Sequence, residues 1–164
     1  MTLAYVFWHW PAQRDRYEER LQAFHDSLAR PGTTTFRLGV APWDDVGEEA
    51  PYEDWYPVDD WAALGELNDY AVTGPRKPPH DEVAHASRKG AGAVYRNIVE
   101  GPPLSEVAFA AWLGKPPAEP PPGAALWQRQ LVLGPAPEYA VLAGSAVEVG
   151  AGAVLTRPRR VAGV

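Results

Sequence analysis

Hydrophobic and polar positions near the amino terminus do not alternate. Residues 4–11 read Ala-Tyr-Val-Phe-Trp-His-Trp-Pro, aromatic and β-branched almost throughout and ended by Pro11. Such a run predicts a strand. Tyr5, Phe7 and His9 fall on one face, and Val6, Trp8 and Trp10 on the other, so neither face suits water. One face can be covered by the chain's own helices, and the other calls for a second sheet. His9 is the strongly polar side chain of the run.

The period changes after Pro11. Tyr17, Leu21, Phe24 and Leu28 recur at helical spacing, predicting an amphipathic helix within 13–30 that Pro31-Gly32 ends. Residues 33–42 predict a second strand, and an acidic loop leads to a short aromatic third strand over 52–58. Asp59 can cap a helix over 60–71, with Trp61, Leu64, Leu67 and Ala71 inward. The proline-rich stretch 73–79 predicts a loop, and 81–89 a short helix stopped by Gly90. In Gly90-Ala91-Gly92 the small residues let a helix approach the fourth strand, 91–99. Strand, helix, strand, strand, helix, strand is the ferredoxin-like order, here with one extra helix after the third strand.

Residues 104–164 read as a reduced copy of residues 1–103. Phe36-Arg37-Leu38-Gly39-Val40-Ala41-Pro42 recurs as Leu131-Val132-Leu133-Gly134-Pro135-Ala136-Pro137. Gly90-Ala91-Gly92-Ala93-Val94 recurs as Gly150-Ala151-Gly152-Ala153-Val154, and Phe7-Trp8-His9-Trp10 more weakly as Phe109-Ala110-Ala111-Trp112. All three matches keep their order, the mark of an internal repeat. In the copy, the first helix gives way to 114–123, where five prolines forbid a helix, and the second shrinks to about 145–149. Four strands remain, near 106–113, 125–133, 138–143 and 152–161. The expected fold class is α+β: tandem ferredoxin-like units fused into one compact α/β barrel, the second unit almost without helices.

This layout resembles the dimeric α/β-barrel superfamily, which includes antibiotic-biosynthesis monooxygenases and EthD-like proteins. Phe24-His25-Asp26-Ser27-Leu28 is similar to the first helix of the EthD-like proteins and its histidine. The resemblance implies sheets packed around a shared cavity. It also implies a small-molecule ligand, with a homodimer as one option. The activity it points to is that of a cofactor-independent enzyme, of oxygenase, isomerase or cyclase type, acting on an aromatic or polyketide-like metabolite.

Composition narrows the chemistry. The 164 residues include no cysteine, which removes disulfides, thiolate nucleophiles and cysteine metal ligands. The formal charge is −6, with most acids between residues 44 and 82. The basic cluster Arg157, Arg159 and Arg160 is too small for a nucleic-acid stripe. There is neither a signal peptide nor an apolar run of membrane length, so a cytoplasmic protein is expected, away from membranes and nucleic acid.

His9 is the catalytic candidate, an imidazole on a doubly covered strand. Tyr5, Phe7, Trp55 and Tyr56 are candidate aromatic contacts for the substrate, and Arg37 and Arg96 candidate anchors for an anionic group. Glu100, Glu106 and Glu138 could instead pair with strand arginines, including Arg129. His80 and His85 are five apart, a spacing that puts them on different helix faces, so no metal site is expected. Two further readings remain open at this point. One is a non-catalytic module with a filled barrel; the other is a haem protein with His9 or His25 as axial ligand.

Overall fold

The structure is a computed structural model that describes residues 2–43 and 51–164. The acidic loop over 44–50 lies outside the described residues. Among the described residues nine strands form one antiparallel sheet: β1 (Leu3–Pro11), β2 (Thr34–Arg37), β3 (Tyr52–Val58), β4 (Ser87–Val99), β5 (Phe109–Leu113), β6 (Ala125–Leu133), β7 (Tyr139–Ala143), β8 (Val154–Thr156) and β9 (Arg159–Gly163). Their spatial order is β8-β5-β7-β6-β4-β1-β3-β2-β9. Three helices, α1 (Tyr17–Leu28), α2 (Trp61–Ala71) and α3 (Lys77–Ala86), complete an α+β fold. None of them is long and apolar enough to cross a membrane.

The sheet curls into a half-barrel. Its two edge strands, β8 and β9, are consecutive in sequence, separated by Arg157-Pro158 alone. The first four strands lie in the order β4-β1-β3-β2, and the next four in the order β8-β5-β7-β6. Gly39 and Gly134 both lie in the turn that leaves the second strand of their own half.

The two faces of β1 are both buried, as its sequence requires, but they meet different partners. On the inner face, Val6, Trp8 and Trp10 join Trp55, Tyr95, Trp112 and Trp127 in one cluster drawn from both halves of the sheet. Trp8, Trp55 and Tyr95 pack around Trp112 with ring centroids 5.4–6.1 Å apart. On the outer face, Leu3, Tyr5, Tyr56 and Val94 pack under Phe24 and Leu28 of α1, Leu67 of α2 and Val83 of α3. The second half has no helix to cover its outer face. Val147, Val149 and Ala153, from the irregular segment after β7, pack there instead.

Several local expectations need correction. Residues 73–79 are not simply a loop: after a short 3₁₀ turn over Gly74–Arg76, α3 starts at Lys77 with Pro78 and Pro79 in its first turn. Proline is tolerated there because those N–H groups have no helical acceptor anyway. The helix stops at Ala86 rather than Lys89, because Ser87, Lys89 and Gly90 pair instead with Pro11, Trp10 and His9 of β1. Asp60, not Asp59, caps α2, accepting from the Ala63 N–H at 2.9 Å. No helix forms over 145–149. Residues 114–123 have no regular structure, as five prolines demand. Of the expected inward residues of α2, only Leu67 is buried, while Trp61 is 46% exposed.

Gly90 and Gly92 serve a purpose other than helix approach. They face His9 and Phe7 across the β1–β4 ladder. A Cβ on Gly90 would stand 2.5 Å from Cζ of Phe7, and one on Gly92 would stand 3.0 Å from the Tyr5 hydroxyl. The missing side chains let the aromatic rings of β1 lie across β4.

The inner cluster sets a stability test. Trp112 is 1% exposed and is held by rings from both halves, so Trp112→Ala leaves a large void that the rigid neighbours cannot fill. Urea unfolding should show a loss of about 3–5 kcal/mol. Trp61→Ala, at a half-open position on α2, should cost under about 1 kcal/mol.

Candidate functional site

Glu53 and Asp54 are neighbours in β3, so their carboxylates leave the sheet on opposite faces. Both are buried, at 1% and 4% exposure. Each therefore needs partners inside the protein.

Asp54 points under the helices. Its Oδ1 accepts the hydroxyl of Thr35, directly opposite on β2, at 2.5 Å. Its Oδ2 accepts the Tyr56 hydroxyl at 3.0 Å. His9 Nε2 lies 3.1 Å from the same oxygen, at ion-pair distance but off the line of a good hydrogen bond. Burial pushes the Asp54 carboxyl up, yet its contacts with His9, with the Thr35 hydroxyl and with His25 outweigh it, leaving the group below the usual carboxylate range. Asp54 is thus an anion at neutral pH. Burial beside that anion raises the Tyr56 hydroxyl well above its ordinary value, so it remains a donor.

The network continues in both directions. On one side, His9 Nδ1 is 2.6 Å from the Tyr17 hydroxyl of α1, which is 2.7 Å from Oγ of Ser87 at the start of β4. Burial keeps the Tyr17 hydroxyl protonated. On the other side, Thr35 also meets His25 Nε2 at 2.7 Å, while His25 Nδ1 is 3.1 Å from the Thr33 hydroxyl. Burial pushes the His25 imidazole down, favouring its neutral form. The Thr35 proton is committed to Asp54, so Nε2 of neutral His25 must be the protonated nitrogen.

Above this floor lies a cavity of about 900 Å³ between the sheet and the helices. Tyr5, Phe7, His9, Asp54, Tyr56 and Ser87 border it from the strands. Leu64, Leu67 and Ala71 of α2 and Val83 of α3 supply apolar walls, with Leu131 and Leu133 of β6 at the rim. Tyr5, Phe7 and His9 form a row of stacked rings, with centroids 6.1 Å and then 5.7 Å apart and planes within 24° of parallel. A flat molecule fits such a wall through its face.

Glu53 points into the inner cluster. Its two oxygens accept the indole N–H groups of Trp8 and Trp55, each at 2.7 Å. Burial pushes its carboxyl up to about 7 against the opposing pull of those two donors. The indole N–H groups of Trp10, Trp112 and Trp127 have no hydrogen-bond partner among the described residues.

Among the residues singled out by sequence, Tyr5, Phe7, His9 and Tyr56 meet at the cavity. Trp55 does not: it belongs to the inner cluster and contacts Glu53. Arg37 lies on the exposed side of β2, 3.6 Å from Glu18. Arg96 is half-buried further along β4, where it donates to Gln128 Oε1 at 3.3 Å. Glu138 pairs with Arg129 at 2.6 Å. The cavity lies under the helices, whereas an α/β barrel was expected to hold its cavity between sheets, and tryptophans fill that inner space. Asp54, Tyr17 and Ser87 escaped the sequence reading. A signal for Asp54 existed: Glu53-Asp54 sits between Tyr52 and Trp55-Tyr56 in a strand that pairs on both sides.

The raised Glu53 carboxyl has a consequence for stability. Between about pH 4.5 and pH 7 the folded chain holds a proton that the unfolded chain has released. Stability should therefore fall as pH rises through that window, by up to about 3 kcal/mol, with the full benefit below it. Asp54 and His25 have the opposite sign: Asp54 acts only at pH below the usual carboxylate range, while His25, pushed down by burial, offsets part of the Glu53 slope as pH rises through the usual imidazole range. Urea unfolding between about pH 5 and pH 8 measures the slope. Glu53→Gln should flatten it, and an unchanged slope in that variant would show that Glu53 is not the titrating group.

Comparison of the chain with protein-family models, with curated proteins and with solved structures gives no significant match.

Proposed function

We propose that the chain binds a flat, largely apolar small molecule in the helix-covered cavity and moves a proton on it without a cofactor. The observation that carries this reading is the line Asp54–His9–Tyr17–Ser87, which begins at a buried anion and ends at the cavity wall. In the tautomer that carries its proton on Nε2, toward Asp54 at 3.1 Å, His9 offers Nδ1 as the acceptor. Tyr17 then donates to Nδ1. A substrate proton taken up by the Ser87 oxygen would pass as three short hops: substrate to Ser87, Ser87 to Tyr17, Tyr17 to His9. The product state is a substrate anion with an imidazolium held against Asp54. The aromatic row of β1 would place the substrate's flat face over this line.

The equal strand order of the two halves, β4-β1-β3-β2 and β8-β5-β7-β6, supports a finer reading of the fold. We read it as tandem ferredoxin-like units, the second stripped of helices, of the kind found in the dimeric α/β-barrel superfamily. The pairing of β6 with β4, and of β2 with β9, would then be two copies of one contact between units.

A second reading, a non-catalytic binding or interaction module with a filled barrel, is favoured by the tryptophan-filled inner space and by the contacts of His9. Both nitrogens of His9 already face protein groups, so any proton must pass through Tyr17 or Asp54. The haem reading loses ground on the same fact, and His25 too has both nitrogens engaged.

The two readings separate with 2-tetralone, a flat apolar ketone with exchangeable α-protons. Deuterium exchange followed by NMR in D₂O should be faster with the wild-type chain than in buffer, and should drop about a hundred-fold in folded His9→Gln. Exchange at the buffer rate with the ketone bound would leave the non-catalytic binder. Equal exchange in wild type and His9→Gln would remove His9 from the chemistry.

A further inference from the structure

Resting on the reading of the helix-covered cavity as a ligand site, we propose that its ligand is an aromatic or similarly flat carboxylate, with the anionic group held at the mouth by Arg88. The argument starts at Pro11. Proline has no N–H to give to the ladder, and the β1–β4 register slips at this point. Trp10 stands opposite Lys89, and Pro11 opposite Ser87, so Arg88 is the extra residue of a β-bulge. Pairing resumes beyond it with the Ala12 N–H on the Ala86 carbonyl at 2.7 Å. A bulge re-aims a side chain and frees it from the cross-strand partner that would otherwise fix it.

The freed residue borders the cavity. Arg88 is exposed, and among the described residues no carboxylate pairs with it. The neighbouring charges do not compete for the role. Lys89 also borders the cavity, but its ammonium lies 4.7 Å from the centre of the Trp10 ring. His80, on the α3 wall, is 3.1 Å from Asp81. Asp54, the acid at the floor, is already engaged by His9 and two hydroxyl donors. The cavity thus combines apolar walls, a row of stacked aromatic rings and one guanidinium at its entrance. Guanidinium matches a carboxylate through two parallel N–H donors, a match that a neutral polar group cannot make. Ser87, the end of the proton line, borders the same cavity as Arg88, so a ligand anchored there by its carboxylate would share that space with the Ser87 hydroxyl.

The test uses two probes of one shape, 2-naphthoate and neutral 2-naphthamide, titrated calorimetrically into the wild-type chain, Arg88→Gln and Arg88→Lys. Naphthoate should bind the wild type about ten-fold more tightly than naphthamide. Arg88→Gln should erase that advantage and leave naphthamide binding unchanged, and Arg88→Lys should restore part of it. About 0.5 M NaCl should weaken naphthoate alone. Equal binding of the two probes to the wild type, or naphthoate binding unchanged in Arg88→Gln, overturns the role of Arg88 and leaves the cavity a ligand site. If neither probe binds, the cavity reading itself falls, and the inference with it.

Discussion

The central strands have no wet face, and the rest of the structure follows from that constraint. β1 and β3 lie side by side in the middle of the sheet, covered inside by tryptophans and outside by helices. Any polar group they carry must be satisfied by the protein, or it costs about 1–3 kcal/mol, and more when charged. β3 carries two adjacent carboxylates, so the fold has to provide a polar environment on each side of one strand. It does so in unlike ways. Glu53 receives two indole N–H groups and no cation, so burial wins and its proton is held up to about pH 7. Asp54 receives two hydroxyls and faces an imidazole, so its charge survives burial.

The two faces also differ in how well they are filled. Inside, large rigid rings from both halves of the chain meet edge to face, and the curl of the sheet closes around them. Outside, the covering helices come from the first half alone. α1 lays five side chains into the interface: Tyr17, Leu21, Phe24, His25 and Leu28. α2 contributes a single buried residue, Leu67, and so leaves space beneath it. That imbalance makes the cavity. The same glycines that let the rings of β1 lie across β4 also strip that part of β4 of side chains that would fill the space.

Much of this was legible in the sequence, and the failures have physical causes. The double-faced run of β1 and the 3.6-residue period of α1 depend on local pattern, and both persist in the structure. The proline-rich segment 114–123 was equally plain, because five missing N–H groups leave no helix to form. The start of α3 was misread because Pro78 and Pro79 look like breakers, although the first turn of a helix is where proline does no harm. At the site, Tyr5, Phe7, His9 and Tyr56 could be found because each sits on a strand with a readable alternation. Arg37 and Arg96 misled because strand residence says nothing about position along the strand, and both lie away from the cavity with partners of their own. Asp54 was missed because an acid in an acidic stretch looks solvated; its aromatic neighbours in sequence hinted otherwise, and its register opposite Phe7 and Thr35 shows that it is enclosed.

The polar network gains its meaning from counting protons. Thr33 can give its single proton to the Arg30 carbonyl or to His25, and Ser87 its own to the Val83 carbonyl or to Tyr17. Each end of the line therefore has a backbone carbonyl as an alternative acceptor, 2.9 Å away in both cases. At the Ser87 end, the hydroxyl can release its hold on Val83 and turn its proton toward Tyr17 without moving a heavy atom. Tyr17 can then pass its own proton to His9, and the added charge is met by Asp54, which is already ionised. A network with every proton fixed would serve as a rigid strut. This one has a spare acceptor at the cavity wall and an anion at the far end, which is the polarity that inward proton transfer requires.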